Sequence, residues 1–185
     1  MIKRIAVIAM MLALAIILSI IESFIPVFIP GFKLGLANMI ILIMLYEFKS
    51  YEAFSVQILR ILIQGLLRGT LFQPIFFMSL VGGILAFLVM WLFSRLKLFT
   101  PIGVSVIGAV FHSTGQIIVA IVIMSTAAIA YYLPFIALLS VGSGILSGVI
   151  AYTYLKRSIT ARFIEVRKFK GQNIIKDEDS TEAVE

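Results

Sequence analysis

The residues best suited to chemistry form one polar stripe in an otherwise apolar stretch of the chain. Its members are Gln57, Arg60, Gln64 and Arg68. Because steps of three and four residues keep side chains on one face of an α-helix, the spacing predicts that all four point the same way. Two guanidiniums with amides between them suit a carboxylate, a phosphate or a row of carbonyls. The alternatives are that Arg60 pairs with Glu22 or Glu52, and that Arg68 reaches the outer lipid headgroups.

A second polar group surrounds His112, the only histidine in the chain. Gln116 follows one helical turn later, and Asn38 and Lys33 fall in the same outer half of the predicted bundle, where Glu22 would balance Lys33 or Arg60. A buried histidine that is hydrogen-bonded to another helix is the alternative for His112. The ligand contacts that we predict are Lys33, Asn38, Arg60, Gln64, Arg68, His112 and Gln116.

The residues of the common catalytic centres are missing from the sequence. There is no cysteine, and one histidine has no companion for metal binding. No aspartate precedes Asp177, so the apolar part of the chain has no Asp-rich Mg²⁺ site for diphosphate chemistry. No G-x-x-x-x-G-K-[ST] phosphate loop occurs either. We expect no catalytic residues, no metal and no resident cofactor, so that any ATP would be used by partner ATPases.

The composition places these residues in a membrane. Hydrophobic residues make up 62% of the 185 residues and charged residues only 13%, too few to form the polar shell of a soluble domain. The net charge of +6 does not indicate nucleic-acid binding, because most bases before residue 156 stand where apolar runs end. We expect a multi-pass protein of a bacterial cytoplasmic membrane, in contact with lipid.

Six apolar runs have about the length that a membrane-spanning helix needs, so an all-α, six-helix transmembrane bundle is predicted. The runs are 5–25, 34–48, 51–67, 75–93, 102–124 and 131–154. The basic residues Lys3, Arg4, Lys49, Arg95, Lys97, Lys156 and Arg157 then fall on one side, which the positive-inside rule assigns to the cytoplasm together with both termini. Residues 1–155 form the predicted transmembrane domain. Residues 156–185 form a charged cytoplasmic tail, expected to be a partly frayed helix against the inner leaflet.

Two further features of the apolar runs bear on function. Residues 22–33 contain two prolines and a glycine at about membrane depth, which predicts a re-entrant loop over a cavity; an ordinary outer loop is the alternative. Ala6, Ala9 and Ala13 form a small-residue stripe that could dock a partner membrane protein. For Gly144 and Gly148 we expect packing inside the bundle.

Three stretches resemble the small bacterial membrane proteins of the Gx transporter family, whose members are also labelled heptaprenyl diphosphate synthase component I. The sequence PGFKLGLAN at residues 30–38 is similar to that family's P-x-x-K-L-G-L-A-N stretch. Residues 68–72 with 76–83 are similar to its junction between spans three and four. Residues 108–116 resemble its G-A-x-x-H-N-x-G-Q stretch and depart from it at Ser113. Together these stretches cover most of residues 22–150.

The family in turn looks like the substrate-binding S components of energy-coupling factor (ECF) transporters. The resemblance implies six helices, a docking face on helix one, and a subunit energised by a scaffold protein and two ATPases. Its ligand would be a small, anionic precursor related to vitamins, isoprenoids or quinones. Two alternatives stay open: a non-catalytic membrane subunit of heptaprenyl diphosphate synthase, and an accessory protein in which the polar stripe only holds helices together.

Overall fold

The computed structural model describes residues 2–24, 35–96 and 98–182, with side chains described up to residue 158 except at positions 3, 23 and 24. Within those ranges the chain is helical and contains no strand. The elements are α1 (Ile2–Phe24), α2 (Leu36–Glu47), α3 (Ser50–Leu67), α4 (Pro74–Leu96), α5 (Pro101–Met124), a 3₁₀-helix (Ala127–Tyr132) and α6 (Leu133–Glu182). All six predicted apolar runs therefore coincide with a helix.

Four helical segments of the described chain are long and apolar enough to cross a membrane. They are Arg4–Glu22, Pro74–Leu96, Pro101–Met124 and Ala127–Ser158. Large side chains on these segments remain exposed, such as Leu88 at 49% and Val122 at 72%. Exposed apolar surface on this scale is typical of a lipid-facing bundle. The chain thus has the helices of a multi-pass membrane protein.

Helix α2 is the central element of the bundle although it has only 12 residues, or about 18 Å of helix. It packs against α1, α3, α4 and α5. The run from Ile40 to Met44 is buried without interruption. A helix that is apolar on all sides is stable where other helices surround it. Its short length is therefore compatible with its position among four other helices.

Helices α4 and α5 are in extensive contact, and glycines bring them together. A Cβ placed on Gly115 would lie 2.8 Å from the Cα of Gly82. A Cβ on Gly108 would lie 2.5 Å from the Cγ of Met90. The two backbones are therefore in direct contact at Gly82 and Gly115, and Gly108 makes room for the side chain of Met90. The close crossing fixes where α5 presents His112.

The glycines of α6 also pack inside the bundle, as expected. Cβ atoms on Gly144 and Gly148 would lie 2.7 Å from the Cα of Val106 and 2.8 Å from the Cα of Ile102, respectively. A hydrogen bond between the Oγ atoms of Ser113 and Ser140, 2.6 Å apart, joins α5 to α6 beside this contact. The G-x-x-x-G motif is therefore covered by α5.

Several of the basic residues that the sequence placed on one side do meet at one end of the bundle. Arg4 of α1 forms an ion pair with Glu52 of α3, with 2.8 Å between Nη2 and Oε2. Arg95 of α4 donates a hydrogen bond of 3.3 Å to the hydroxyl of Ser50, at the start of α3. The start of α1, the start of α3 and the end of α4 thus lie together, as an up-and-down arrangement requires.

The chain divides into two compact units, residues 1–152 and 153–185. The second unit continues α6 as helical backbone as far as Glu182. The predicted link at 125–130 is largely a 3₁₀-helix, which ends where α6 begins. The loop predicted to be re-entrant falls on residues 25–34 and lies outside the described residues.

Candidate ligand-binding site

A polar cavity lies at the other end of the bundle, where α1 and α3 end and α2 and α4 begin. It gives the centre of a water molecule about 20 Å³ of free volume, enough for one ordered water and little more. Its lining residues are Ser19, Glu22, Gly35, Asn38, Arg60, Ile61, Gln64, Ser79 and His112. Residues of five helices contribute to this one cavity, and seven of the nine lining residues are polar or charged.

Arg60 is the central side chain of the cavity and is only 5% exposed. Its Nη2 donates hydrogen bonds to the Oε1 of Gln57, at 2.9 Å, and to the Oδ1 of Asn38, at 3.2 Å. Both acceptors are neutral amides, so these bonds orient the guanidinium without neutralising its charge. Helix geometry explains the first bond, since Gln57 precedes Arg60 by one turn. The second bond joins α3 to α2.

The same cluster contains buried hydrogen-bond donors with no partner among the described residues. They are the Nε of Arg60, the Nδ2 of Asn38 and the Nε2 of Gln57. The orientation of both amides is fixed, because only their oxygens can accept a bond from the guanidinium. Arg60 and Asn38 line the cavity, whereas the Gln57 amide lies against Gly83 of α4. An unpartnered buried donor costs about 1–3 kcal/mol, so this cluster favours an acceptor group.

Glu22 brings a carboxylate into the cavity from the end of α1. It is 7% exposed, and its Oε1 accepts a hydrogen bond of 2.5 Å from the backbone N–H of Gly35. Gly35 precedes α2 with a φ of +75°, a conformation that glycine adopts without strain. A carboxylate at a helix N-terminus is stabilised by the helix dipole. Glu22 is also close enough to attract the Arg60 guanidinium electrostatically.

His112 and Gln116 reach the site from α5. The Nε2 atoms of the two side chains are 3.1 Å apart, within hydrogen-bond distance. Both are buried, and His112 lines the cavity while Gln116 does not. Instead, Gln116 packs against α4, where a Cβ on Gly82 would approach its Cγ to 2.9 Å. Gln116 therefore contacts the His112 side chain from outside the cavity.

A second, smaller cavity continues along the same face of α3 towards its end. It has about 10 Å³ of free volume for a water centre and shares Ile61, Gln64 and Ser79 with the first. Arg68 lines it, and both Arg68 and Gln64 donate weak hydrogen bonds to the carbonyl of Ser19, at 3.3 and 3.4 Å. The stripe predicted on α3 therefore runs along two neighbouring cavities.

The structure brings together four of the seven predicted contacts in the first cavity: Asn38, Arg60, Gln64 and His112. Arg68 borders the second cavity, Gln116 stands behind His112, and Lys33 lies outside the described residues. The alternative pairing of Arg60 with Glu52 does not occur, because Glu52 pairs with Arg4.

Several residues of the cavity were not predicted as contacts. Glu22 is recognisable in the sequence as the only acid in the first apolar run, but its predicted role was to balance the charge of Lys33 or Arg60. No sequence feature distinguishes Ser19 or Ser79 as contacts, because serine is common in membrane helices. Gly35 lies at the site directly before α2, and spacing does not reveal this position.

The alanine stripe on α1 lies on the outside of the described bundle. Ala6, Ala9 and Ala13 are all exposed. At about 100° per residue they face away from Met11 and Ala15, which are buried against the other helices. The stripe is therefore accessible to lipid or to another membrane protein.

Comparison with known proteins agrees with the resemblance seen in the sequence. The profile of the family described as heptaprenyl diphosphate synthase component I matches residues 11–154, which include α2 to α5 and the entire described cavity. No curated protein and no solved structure gives a significant match. Since the profile covers well over half of the chain, the protein belongs to the heptaprenyl diphosphate synthase component I family.

Proposed function

We propose that the protein is the substrate-binding membrane subunit of an ECF-type importer. In this role it captures a small, anionic precursor, related to vitamins, isoprenoids or quinones, from outside the membrane. Arg60 holds the anionic group, with Asn38, Gln64 and His112 around it. Arg68, on the neighbouring cavity, and Lys33 are further ligand contacts in this proposal, and Gln116 supports His112.

The observation that carries this proposal is the buried guanidinium of Arg60, which lines a cavity and whose hydrogen-bond acceptors among the described residues are neutral amides. A charged group within a membrane-spanning bundle is expensive and is usually kept for a functional reason. A ligand anion would accept hydrogen bonds directly from Arg60, to which no described carboxylate is hydrogen-bonded, and would provide acceptors for the unpartnered donors beside it.

The size of the cavity limits how a ligand binds. Room for little more than one water molecule excludes a whole vitamin-sized molecule, and even a small charged head group requires some movement of the lining side chains. The ligand therefore enters with its anionic end first, and the elements around the cavity separate to admit the remainder.

The exposed stripe of Ala6, Ala9 and Ala13 supports docking to a scaffold membrane protein, which two ATPases would drive. The six-helix order and the basic residues at one end support an orientation with both termini in the cytoplasm. In that orientation the cavity faces outward, as uptake requires.

The test is purification of the tagged protein from its host membranes in mild detergent, followed by identification of the bound small molecules and the co-purifying proteins. We expect a small anionic compound, a scaffold membrane protein and two ATPases. Arg60→Gln should lose the compound and keep the proteins. Arg95→Gln, at the opposite end of the bundle, is the matched control and should keep both.

A second function is favoured by the family description, which names a component of a synthase. In that case the chain is a non-catalytic membrane subunit of heptaprenyl diphosphate synthase and associates with the second component. Recovery of a soluble prenyl synthase without ATPases would select this function over import.

A further inference from the structure

Two buried N–H donors on neighbouring side chains of the cavity lack an acceptor among the described residues, and a carboxylate would supply acceptor oxygens. Arg60 and Asn38 are 5% and 8% exposed, and a hydrogen bond from Nη2 to Oδ1 holds them side by side. The Nε of Arg60 and the Nδ2 of Asn38 have no partner among the described residues, and both residues line the cavity. Two adjacent N–H donors match the two oxygens of one planar carboxylate.

The charges around the cavity limit the charge of the ligand. Among the described lining residues, Arg60 contributes one positive charge and Glu22 one negative charge. These two charges cancel, so a ligand with one negative charge adds the smallest net charge that an anion can bring to the described cavity. In a site of low dielectric constant, each further negative charge on the ligand is repelled by Glu22. Phosphate dianions and diphosphates are therefore disfavoured next to Glu22.

The small free volume of the cavity also favours a carboxylate over a phosphate or a diphosphate. A space of about 20 Å³ is close to the size of one water molecule, and a carboxylate is flat and carries two oxygens. A tetrahedral phosphate carries four, and a diphosphate carries seven. The surrounding side chains would have to move further for either of them.

From these three observations we propose that the cavity selects a singly charged carboxylate head group and rejects phosphate and diphosphate groups. This inference rests on the proposed binding function and specifies its substrate class. Arg60 and Asn38 bind the carboxylate, and Glu22 determines specificity through its charge.

The experiment measures thermal unfolding of the purified full-length protein in detergent. The probes are acetate, benzoate, inorganic phosphate and diphosphate at matched ionic strength. We expect the carboxylates to raise the unfolding midpoint and the phosphates to leave it unchanged. Equal stabilisation by diphosphate, or no response to either carboxylate, would overturn the proposal.

Three variants test the named residues. Arg60→Gln should abolish the carboxylate response. Asn38→Asp keeps the side-chain shape and gives Arg60 an internal ion pair in place of a ligand, so it should fold and lower carboxylate affinity by about tenfold or more. Glu22→Gln keeps an acceptor for the Gly35 N–H and should raise diphosphate affinity by about tenfold. Unchanged diphosphate binding in Glu22→Gln would contradict the specificity role.

The co-purified compound separates failure of this inference from failure of the proposed function. A compound that Arg60→Gln loses but that carries a phosphate group would refute the carboxylate assignment and leave the binding function standing. A compound that Arg60→Gln retains would refute both.

Discussion

Replacement of Gly83 by alanine tests whether the polar cluster around Arg60 depends on close contact between α3 and α4. A Cβ at this position would lie 2.6 Å from the Nε2 of Gln57 and 2.8 Å from the Cδ1 of Ile61. Ordinary van der Waals contact begins at 3.4 Å, so Gln57 would have to retreat by about 0.8 Å. The Gln57 side chain is fully buried and hydrogen-bonded to Arg60 at 2.9 Å, so it has little room to move away.

The expected loss of stability follows from two opposing effects. Overpacking of a well-filled site costs about 1–3 kcal/mol, and movement of Gln57 weakens a charge-assisted hydrogen bond that contributes about 1.5–3 kcal/mol. In the opposite direction, the higher helix propensity of alanine raises the free energy of unfolding by about 1 kcal/mol relative to glycine. Gly83→Ala should therefore lower the free energy of unfolding by about 2 kcal/mol.

Reversible unfolding in detergent micelles measures this difference, and Gly142→Ala is the matched control. Gly142 lies in α6, and a Cβ added there would meet no other atom within 4 Å, so alanine at this position should stabilise the helix. A Gly83→Ala protein that is as stable as Gly142→Ala would refute the packing argument. Retention of the co-purified compound in Gly83→Ala would show that Gln57 does not position Arg60.

Two other predictions concern different surfaces of the molecule. Ala9→Phe should abolish co-purification of the scaffold protein without unfolding the chain, because the alanine stripe is exposed. Leu14→Phe, on the neighbouring exposed face, is the control and should leave co-purification intact. Equal recovery of the scaffold protein with both variants would contradict a docking role. Ser140→Ala should lower the free energy of unfolding by about 1 kcal/mol, because Ser113 loses the acceptor of its 2.6 Å hydrogen bond. Adding Ser113→Ala to this variant should lower it little further. In a double-mutant cycle, a simple sum of the two separate losses would contradict coupling of the two hydroxyls.

The helices were predictable because hydropathy and length govern a membrane-spanning bundle directly. The prediction of 102–124 for the fifth run and the observed Pro101–Met124 differ by one residue. Thr100 and Pro101 explain that boundary, since the threonine hydroxyl accepts a hydrogen bond from the N–H of Gly103 and proline suits the first turn. The second run was predicted longer than α2, because apolar residues continue beyond the helix on both sides.

The site was predictable only in part, because periodicity describes one helix at a time. The stripe on α3 singled out Arg60 and Gln64 as ligand contacts, and both line the cavity, since polar side chains in an apolar helix tend to face other protein groups. Spacing within α5 did not distinguish His112, which lines the cavity, from Gln116, which lies behind it. That difference arises from the α4–α5 crossing at Gly82 and Gly115. Contacts between helices are set by packing that no single segment encodes.

The arrangement around Arg60 also bears on whether the polar stripe is only a structural bond between helices. A structural cluster reaches its lowest free energy when every buried donor has an acceptor. Here Arg60 bonds to α2 through Asn38, yet the Nε of Arg60 and the Nδ2 of Asn38 lack partners among the described residues and their side chains border a cavity. Helix association alone gives no reason for that surplus of donors beside a space. Binding of an acceptor group does, and for this reason the ligand-binding interpretation accounts for more of the geometry than association alone.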